Sequence, residues 1–371
     1  MRAQRTAFVT EIPAPFRIPL FNALAARDDV DPLFLFLADH DPRRSYRVYA
    51  EEFRFATATL PGLSFHRGGR WLVVNRGTFR ALARFRPDVI VIGGWNQPAF
   101  WQSMAYARLH RTPIVVWVES TARDDRPGHA ALEAAKSAVV RQATAFLVPG
   151  RASAAYVESL GVEADRIAIA PNAVDLEIFG ERVAQARRKR TRLRAELGMD
   201  RCTFLYVGRL DPEKGLEVLL RAMEDVAGEL VVVGSGGLEA RLRQQAPASV
   251  RFVGQVARDD LVPWYAAADA FVLPSLSEPW GMVVNEAAAA GLPIVATEAV
   301  GAAWDLVEDG VNGFRVAAGD ARALAAALGR LAADPDLRRR AGRQSESIAA
   351  GCTPHAWAEG VAALVRRLAQ P

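Results

Sequence analysis

Short apolar runs alternate with helical patterns along almost the whole chain. Runs such as "DVIVIGG" and "ELVVVGSGG" are apolar on both faces and end in glycine, which is typical of strands buried inside a parallel sheet. Their alternation with helical segments predicts parallel sheets covered by helices. Predicted strands of the first half are residues 7–10, 33–38, 89–92, 114–118, 145–148 and 167–170. Those of the second half are residues 203–207, 230–233, 251–253, 270–273, 294–296 and 314–316.

The two sets of strands predict two Rossmann-like, doubly wound α/β domains. The predicted division is a first domain, a linker, a second domain and a final helix, at residues 1–175, 176–198, 199–353 and 354–371. The linker contains "RRKRTRLR", which we interpret as a solvated helix. Ligands of such folds bind where the carboxyl ends of the strands meet, so we expect a cleft between the two sheets.

Composition narrows the class of protein. The chain has 46 Lys and Arg, nearly all arginine, against 42 Asp and Glu, a net charge of +4. A basic surface suits a phosphorylated substrate, and a peripheral membrane contact stays open; nothing in the sequence indicates a nucleic-acid partner. Two cysteines are too few for a disulfide framework or a Cys-ligated metal. Without an apolar run of membrane-span length or a secretory signal pattern, we expect a cytoplasmic protein, with the inner face of the membrane as an alternative location.

The first candidate motif is "YVGRLDPEKGLEVLL". A predicted strand ends at Gly208, and Arg209 and Lys214 share the loop that leads to the next helix. Two cations beside a helix N-terminus suit a diphosphate. The alternative is a helix start with a surface ion pair.

The second motif, "VVVGSGGLEARL", places Gly234 and Ser235 in a glycine-rich turn between strand and helix. Backbone N–H groups of such a turn can face an anion. The turn lacks the full dinucleotide fingerprint, so a nicotinamide oxidoreductase is weakly supported, and a tight turn without a ligand remains the alternative.

The third motif, "EPWGMVVNEAAAAG", holds two acids eight residues apart. Glu278 lies in a Pro/Gly turn, and Glu286 lies on an Ala-rich helix where an acid is costly unless a polar group meets it. Gly281 lets the backbone approach a ligand closely. Carboxylates beside free helix N–H groups suit a ligand with many hydroxyls. The alternative is a capped core helix with two solvated acids.

The first half offers candidates that follow predicted strand ends. Glu11 and Arg17 follow the first strand, Trp95 and Asn96 follow "VIVIGG", and Glu119 follows "IVVWV". A tryptophan offers a flat face to a sugar or a lipid, although packing is its commoner role. We predict that these five residues bind a second ligand in the cleft, which is the acceptor if the protein transfers a group.

The order "VGRL-x4-KG", "VVGSG", "FVGQV", "ADAFVLPSLSEPWGMVVNEAAAAGLPIVAT" and "VEDGVNGF" resembles family 4 of the retaining glycosyltransferases, which have a GT-B fold. The resemblance covers residues 193–316 and includes the E-x7-E signature. "PNAVDLEIF" resembles the family's interdomain segment, and the final helix resembles one that crosses back to the first domain.

The resemblance implies a role for each matching residue. Arg209 and Lys214 would bind the donor diphosphate, Glu286 would accept from ribose hydroxyls, and Glu278 would hold the sugar. The segment after Gly254 would lie against the base. The family needs no metal or other cofactor. The donor-binding set so implied is Gly208, Arg209, Lys214, Gly234, Ser235, Gln255, Val256, Glu278, Trp280, Gly281, Met282, Val283 and Glu286. The catalytic set is Arg209, Lys214, Glu278 and Glu119.

The first half resembles the family more loosely. Many members have a histidine where Glu119 is the closest residue here, and "TEIPAPFRIPLF" has prolines where members carry glycines. The expected activity is transfer of a hexosyl group, with retention, from a nucleotide-diphosphate sugar to a hydroxyl of a polysaccharide, glycolipid or small glycoside. A nucleotide-sugar epimerase and a non-catalytic nucleotide-sugar-binding protein remain alternatives.

Overall fold

The computed structural model describes residues 2–41, 47–67, 70–124 and 130–369. These residues form two parallel sheets of seven and six strands and one two-stranded antiparallel hairpin. The structure therefore confirms the predicted α/β fold with two doubly wound sheets. Within the described ranges, none of the helices combines the length and the apolarity needed to cross a bilayer.

The first sheet has the strand order β3-β2-β1-β6-β7-β8-β9, and the hairpin pairs β4 with β5. The strands are β1 (Gln4–Thr10), β2 (Val30–Phe36), β3 (Ala56–Thr59), β4 (Gly62–Arg67), β5 (Arg70–Asn75), β6 (Val89–Ile92), β7 (Ile114–Trp117), β8 (Ala145–Val148) and β9 (Ile167–Ile169). The helices of this half are α1 (Ile18–Ala25), α2 (Thr78–Phe85), α3 (Pro98–His110), α4 (Ala130–Gln142) and α5 (Arg151–Ser159).

The second sheet has the order β12-β11-β10-β13-β14-β15. Its strands are β10 (Thr203–Val207), β11 (Glu229–Val233), β12 (Val250–Gly254), β13 (Ala270–Leu273), β14 (Ile294–Thr297) and β15 (Gly313–Val316). The remaining helices are α6 (Leu176–Arg187), α7 (Arg190–Glu196), α8 (Leu216–Met223), α9 (Glu239–Gln245), α10 (Val262–Ala267), α11 (Met282–Ala289), α12 (Ala303–Leu306), α13 (Ala321–Ala333), α14 (Pro335–Ala349) and α15 (Pro354–Leu368).

Both faces of the first sheet are buried, as the apolar runs predict. Phe8 and Phe34 point into one apolar cluster, while their neighbours Ala7 and Val9 point into the other. The strand order reverses between β1 and β6 in this sheet and between β10 and β13 in the second. Crevices outside the carboxyl ends of such switch points are where ligands of this architecture bind.

Helix ends follow local sequence chemistry. The side chain of Asp175 accepts from the N–H of Ile178 at the start of α6, and Thr353 caps α15 by accepting from Ala356. Proline occupies the first position of α15, where its missing N–H costs nothing. These caps place helix starts at residues 176 and 354, the two positions at which the predicted linker and final segment begin.

The final helix packs on the first sheet although it follows the second sheet in sequence. The ring of Trp357 lies 5.6 Å from the ring of Trp117 and 6.0 Å from that of Phe21, centroid to centroid. Trp357 is fully buried. Helix α15 therefore packs on the first α/β unit, although it follows the second unit in the sequence.

The basic linker differs from its predicted solvated character. Arg190 and Arg194 reach Asp269 with N–O distances of 2.7 and 2.9 Å, and only 13% of the Asp269 side chain is exposed. Burial lowers the pKa of Arg187. The linker arginines thus anchor α6 and α7 to the second sheet, a contact across more than 70 residues that charge patterning alone does not show.

Three strands were not predicted. The sequence of β3 is "ATAT" and all four residues are exposed, so it lacks the apolar run used to identify strands. The hairpin β4–β5 carries large apolar side chains on an exposed face. Neither element has the pattern of a strand buried on both sides.

Candidate active site

The carboxyl edge of the second sheet brings the first two motifs together. Gly208 follows β10, and Gly234 follows the adjacent strand β11. Gly234 has a φ of 137°, and a Cβ there would lie 1.9 Å from the carbonyl oxygen of Gly208. Only glycine permits this approach, so the two loops form one continuous backbone surface.

Lys214 and Glu278 form an ion pair at this edge. Nζ of Lys214 contacts Oε2 of Glu278, and only 13% and 14% of the two side chains are exposed. Lys214 lies in the loop after β10, whereas Glu278 lies in the loop after β13. The pair therefore joins the two strands that flank the switch point. Both residues were predicted here, but their mutual contact was not.

Arg209 lies on the surface of the same loop, with half of its side chain exposed. Its Nη2 donates to Oε1 of Glu213 at 2.8 Å, and its Nη1 contacts a carboxylate oxygen of Asp211. Both acids belong to the loop that carries the arginine. A diphosphate at this edge would therefore compete with these two carboxylates for the guanidinium.

The start of α11 supplies backbone N–H groups beside Glu278. Gly281 precedes the helix with a φ of 95°, a conformation that favours glycine. The first N–H groups of a helix have no intrahelical acceptor. The side chains of Met282 and Val283 pack against the apolar core, so these residues offer only their backbone to a ligand.

Two hydrogen bonds hold the Glu278 loop in place. The N–H of Glu278 donates to the carbonyl of Ala299 at 3.2 Å, and its own carbonyl accepts from the N–H of Gly301 at 3.0 Å. At the end of β13, Ser275 is fully buried, and its hydroxyl has no partner among the described residues. The loop is therefore a fixed support for the Glu278 carboxylate.

Trp280 lies where no sugar contact is available to its ring. Only 4% of the residue is exposed, and its Nε1 donates to Oδ1 of Asn285 at 2.8 Å. A Cβ built on Gly150 would lie 2.8 Å from the Trp280 ring, so the indole packs against the first half of the chain. Packing therefore accounts for the Trp280 ring, and its place in the donor-binding set stays a prediction that concerns its backbone and the N–H groups after it.

The base-binding candidates lie beside the glycine-rich turn. Oγ of Ser235 is 3.4 Å from Oε1 of Gln255, which is exposed. Val256 is partly buried and packs against the core of the second unit. The loops after β11 and β12 thus meet at the outer end of the crevice.

Glu286 has a polar partner inside the second unit. The hydroxyl of Tyr265 donates to its Oε2 at 2.7 Å. Burial raises the pKa of the Glu286 carboxyl, although the Tyr265 hydroxyl and the charge of Arg258 lower it in part. The partner expected for this acid is therefore present within the protein, and one carboxylate oxygen remains for a ligand.

We predict that Glu286→Gln raises the stability of the ligand-free protein at neutral pH. A raised folded-state pKa means that Glu286 contributes stability that is fully present below the unfolded value near 4.5 and is lost as the pH rises through the folded value. Glutamine stays neutral and still accepts from Tyr265. The measurement is the melting temperature of wild type and variant as a function of pH. The two melting temperatures should agree below the ordinary carboxyl pKa of 4.5 and diverge at higher pH. A variant less stable than wild type at neutral pH would contradict the assignment.

The first sheet brings Arg17 and Glu119 together. Nη2 of Arg17 is 3.1 Å from Oε1 of Glu119, and the guanidinium lies 4.3 Å from the ring centroid of Trp117. Side chains of the pair are 16% and 27% exposed. These two acceptor candidates, 102 residues apart in sequence, form one charged group after β1 and β7.

Glu11 and Asn96 form a second polar group at the same edge. Nδ2 of Asn96 donates to Oε1 of Glu11 at 2.9 Å, and Nε2 of Gln97 donates to the same oxygen at 3.0 Å. Gln97 was missed although it directly follows Asn96, because its partners Glu11, Trp71 and Val73 lie in distant segments of the chain. Trp95 is partly buried against the core, so packing accounts for its ring.

A chain of amides connects the two edges. Nδ2 of Asn172 donates to Oε1 of Glu119 at 3.2 Å, and the Asn172 carbonyl accepts from Nδ2 of Asn285 at 2.8 Å. Oδ1 of Asn285 in turn accepts a hydrogen bond from Nε1 of Trp280. The carboxyl ends of the two sheets therefore face each other. Neither asparagine was predicted, because contacts across 53 and 113 residues leave no local pattern.

This arrangement of two facing Rossmann-like units, with cations and carboxylates at the switch point, defines a GT-B type protein. Two family models match the chain: "Glycosyltransferase Family 4" over residues 20–178 and "Glycosyl transferases group 1" over residues 201–334. Together they span well over half of its length. The chain therefore combines a glycosyltransferase family 4 domain with a glycosyl transferases group 1 domain.

Individual proteins agree with this assignment. A D-inositol 3-phosphate glycosyltransferase from Xylanimonas cellulosilytica is 36% identical over 234 residues, which are 58% of this chain and 54% of the relative. The chain thus spans about half the length of this curated relative. Anabaena Alr3699/HepE, solved in complex with UDP, superposes with a TM-score of 0.78 and 21% identity, covering 98% of this chain and 100% of that one. Its complex with UDP-glucose has a TM-score of 0.74, 20% identity and the same coverage.

Proposed function

We propose that the protein transfers a hexosyl group from a nucleotide-diphosphate sugar to an acceptor hydroxyl. The observation that carries this proposal is the Lys214–Glu278 pair beside the N-terminus of α11, with Arg209 on the same edge. A cation, a carboxylate and free N–H groups match a diphosphate next to a hydroxylated ring. The Anabaena protein of similar fold was solved with UDP-glucose, so a uridine nucleotide is the first donor to test.

Arg209 and Lys214 would neutralise the leaving diphosphate. In the ligand-free protein Arg209 contacts Asp211 and Glu213. When the diphosphate binds, its oxygens would replace these two carboxylates as partners of Arg209. Protein cations in fixed positions stabilise charge that develops as the glycosidic bond breaks. We therefore propose that the transfer needs no metal ion.

We propose a front-face reaction with retention. The acceptor oxygen bonds to the anomeric carbon on the face from which the diphosphate leaves, and the bond from that carbon to the phosphate oxygen breaks. A leaving phosphate oxygen takes the acceptor proton, so no protein nucleophile is required. Glu278 would then position the sugar hydroxyls and would not attack the sugar.

The acceptor would lie between the two polar groups of the first sheet. The Arg17–Glu119 pair is joined to the donor edge through the Asn172 and Asn285 contacts, and the Glu11–Asn96 group lies at the same edge of the first sheet. Carboxylates and amides there can accept from and donate to a hydroxyl. This half of the site sets which acceptor is used.

The test is incubation of the chain with UDP-glucose and related donors, with and without a panel of sugar and polyol acceptors. UDP release and the product anomer, followed by NMR, should show acceptor-dependent transfer with the donor's anomeric configuration kept. A new nucleotide sugar formed without acceptor would replace the proposal with an epimerase. An inverted product would overturn the front-face step alone.

We predict that Glu119→Gln lowers the acceptor-dependent rate about tenfold while donor binding persists, because it removes a charge-assisted hydrogen bond at the acceptor side. Steady-state rates at varied acceptor, together with a thermal shift by the donor nucleotide, check this. The matched control is Glu158→Gln, an exposed acid on α5. Loss of donor binding in the Glu119 variant would show that this residue serves the other substrate.

A further inference from the structure

One face of the hairpin β4–β5 exposes four large apolar side chains. Leu63 pairs with Val74 and Phe65 pairs with Leu72 across the two strands, so all four lie on one side. Their exposed fractions are 65%, 40%, 53% and 40%, in that order. The opposite face is different, because Trp71 and Val73 are buried in the core of the first unit. Nothing among the described residues covers the apolar face.

The helix that follows the hairpin adds a stripe of arginines. Arg76, Arg80 and Arg84 are four residues apart, all exposed, and none of them forms an ion pair with a described carboxylate. Arg80 and Arg84 lie on one side of α2, and Arg76 precedes the helix. From residue 55 to residue 87 the sequence contains six arginines and no aspartate or glutamate. The hairpin face and this stripe are called the hairpin–α2 surface.

We propose that the hairpin–α2 surface docks on an anionic lipid bilayer. Exposed apolar side chains beside uncompensated cations are the combination that binds the interface of a membrane with acidic headgroups. A second copy of the chain is a poorer occupant, since a two-fold contact would set arginines against arginines without an acid between them. Aliphatic side chains such as Leu63 and Val74 also do not stack on nucleic-acid bases.

The hairpin lies next to the acceptor side of the site. Oε1 of Gln97 accepts from the N–H of Val73 at 2.9 Å, and Nε2 of the same residue donates to the carbonyl of Trp71 at 3.1 Å and to Glu11 at 3.0 Å. Docking would bring Glu11 towards the headgroups. We therefore infer that the acceptor hydroxyl belongs to a lipid, an inference that rests on the proposed function.

The experiment is flotation of the full chain with vesicles of phosphatidylcholine alone and of phosphatidylcholine mixed with phosphatidylglycerol. Wild type should bind the anionic vesicles at least about tenfold more tightly than the neutral ones. The double variants Leu63→Ser/Phe65→Ser and Arg80→Gln/Arg84→Gln should each weaken binding to anionic vesicles by about tenfold or more. All four side chains are exposed, so the fold should survive, which the melting temperature checks.

Matched controls come from other surfaces of the chain. Ile178→Ser removes an apolar side chain that is 60% exposed on α6, and Arg340→Gln/Arg343→Gln removes two exposed arginines on α14. Both controls should bind vesicles as wild type does. Equal loss in the controls, or no wild-type binding, would overturn the proposal. So would a wild-type dimer in sedimentation that the hairpin variant dissociates. Nucleotide binding, measured separately, reports on the proposed reaction independently.

Discussion

Lys214→Ala should lower kcat/KM for sugar transfer at least tenfold, or about 1.4 kcal/mol of transition-state stabilisation. The variant removes a cation that the proposed reaction uses against the leaving diphosphate. It also leaves the Glu278 carboxylate, 14% exposed, without its partner. Breaking a fully buried pair costs about 3–5 kcal/mol, and this partly exposed pair should cost less. The variant should therefore melt below wild type.

Two further variants separate activity from stability in this prediction. Lys214→Ala/Glu278→Gln should recover much of the lost melting temperature, because no unpaired charge remains, but it should not recover transfer. Arg209→Ala removes a half-exposed cation whose partners Asp211 and Glu213 are 23% and 42% exposed and so keep contact with water, and it should lose transfer with little change in melting temperature. Wild-type rates in both Lys214→Ala and Arg209→Ala would refute the diphosphate site.

Gly234→Ala should destabilise the second unit by about 3 kcal/mol. Its φ of 137° disfavours an L-residue, and the new Cβ would lie 1.9 Å from the Gly208 carbonyl oxygen, which is backbone and must move. The melting temperature should fall by roughly 6–12 °C. Nucleotide affinity should fall as well, because the loop that holds Arg209 shifts.

Gly237→Ala is the matched control for this change. It lies in the same loop, and a Cβ there would have no heavy atom within 4 Å. Its melting temperature and its nucleotide affinity should stay within error of wild type. A Gly234→Ala protein as stable as Gly237→Ala would mean that the close approach of the two loops is not needed.

The fold was predictable because its strands are buried on both faces. Apolar runs that end in glycine, such as the one closing at Gly234, mark the carboxyl edge of a parallel sheet without any knowledge of the partner strands. The exposed strand β3 and the half-exposed hairpin gave no such signal. Their positions depend on what they pair with, and the local pattern does not contain that.

The placement of the candidate donor residues at one edge was predictable for a related reason. Arg209, Lys214, Gly281 and Glu278 each follow a buried strand or start a helix, so topology alone brings them to one edge. The partners of these residues were not predictable. The Tyr265 hydroxyl that meets Glu286, for example, lies on a different helix. Contacts between distant segments arise only when the whole chain has folded.

The proposed reaction requires that a nucleotide diphosphate binds at the edge of the second sheet that carries Arg209 and Lys214. The most direct measurement is the thermal shift of wild type and Arg209→Ala with UDP, GDP, ADP, dTDP and NAD. A ligand at about 100 times its dissociation constant adds about 2.7 kcal/mol, which raises the melting temperature by several degrees. We predict that one diphosphate, UDP first among them, raises the melting temperature of wild type and has little effect on the variant. No shift from any diphosphate, or an equal shift in Arg209→Ala, would contradict it.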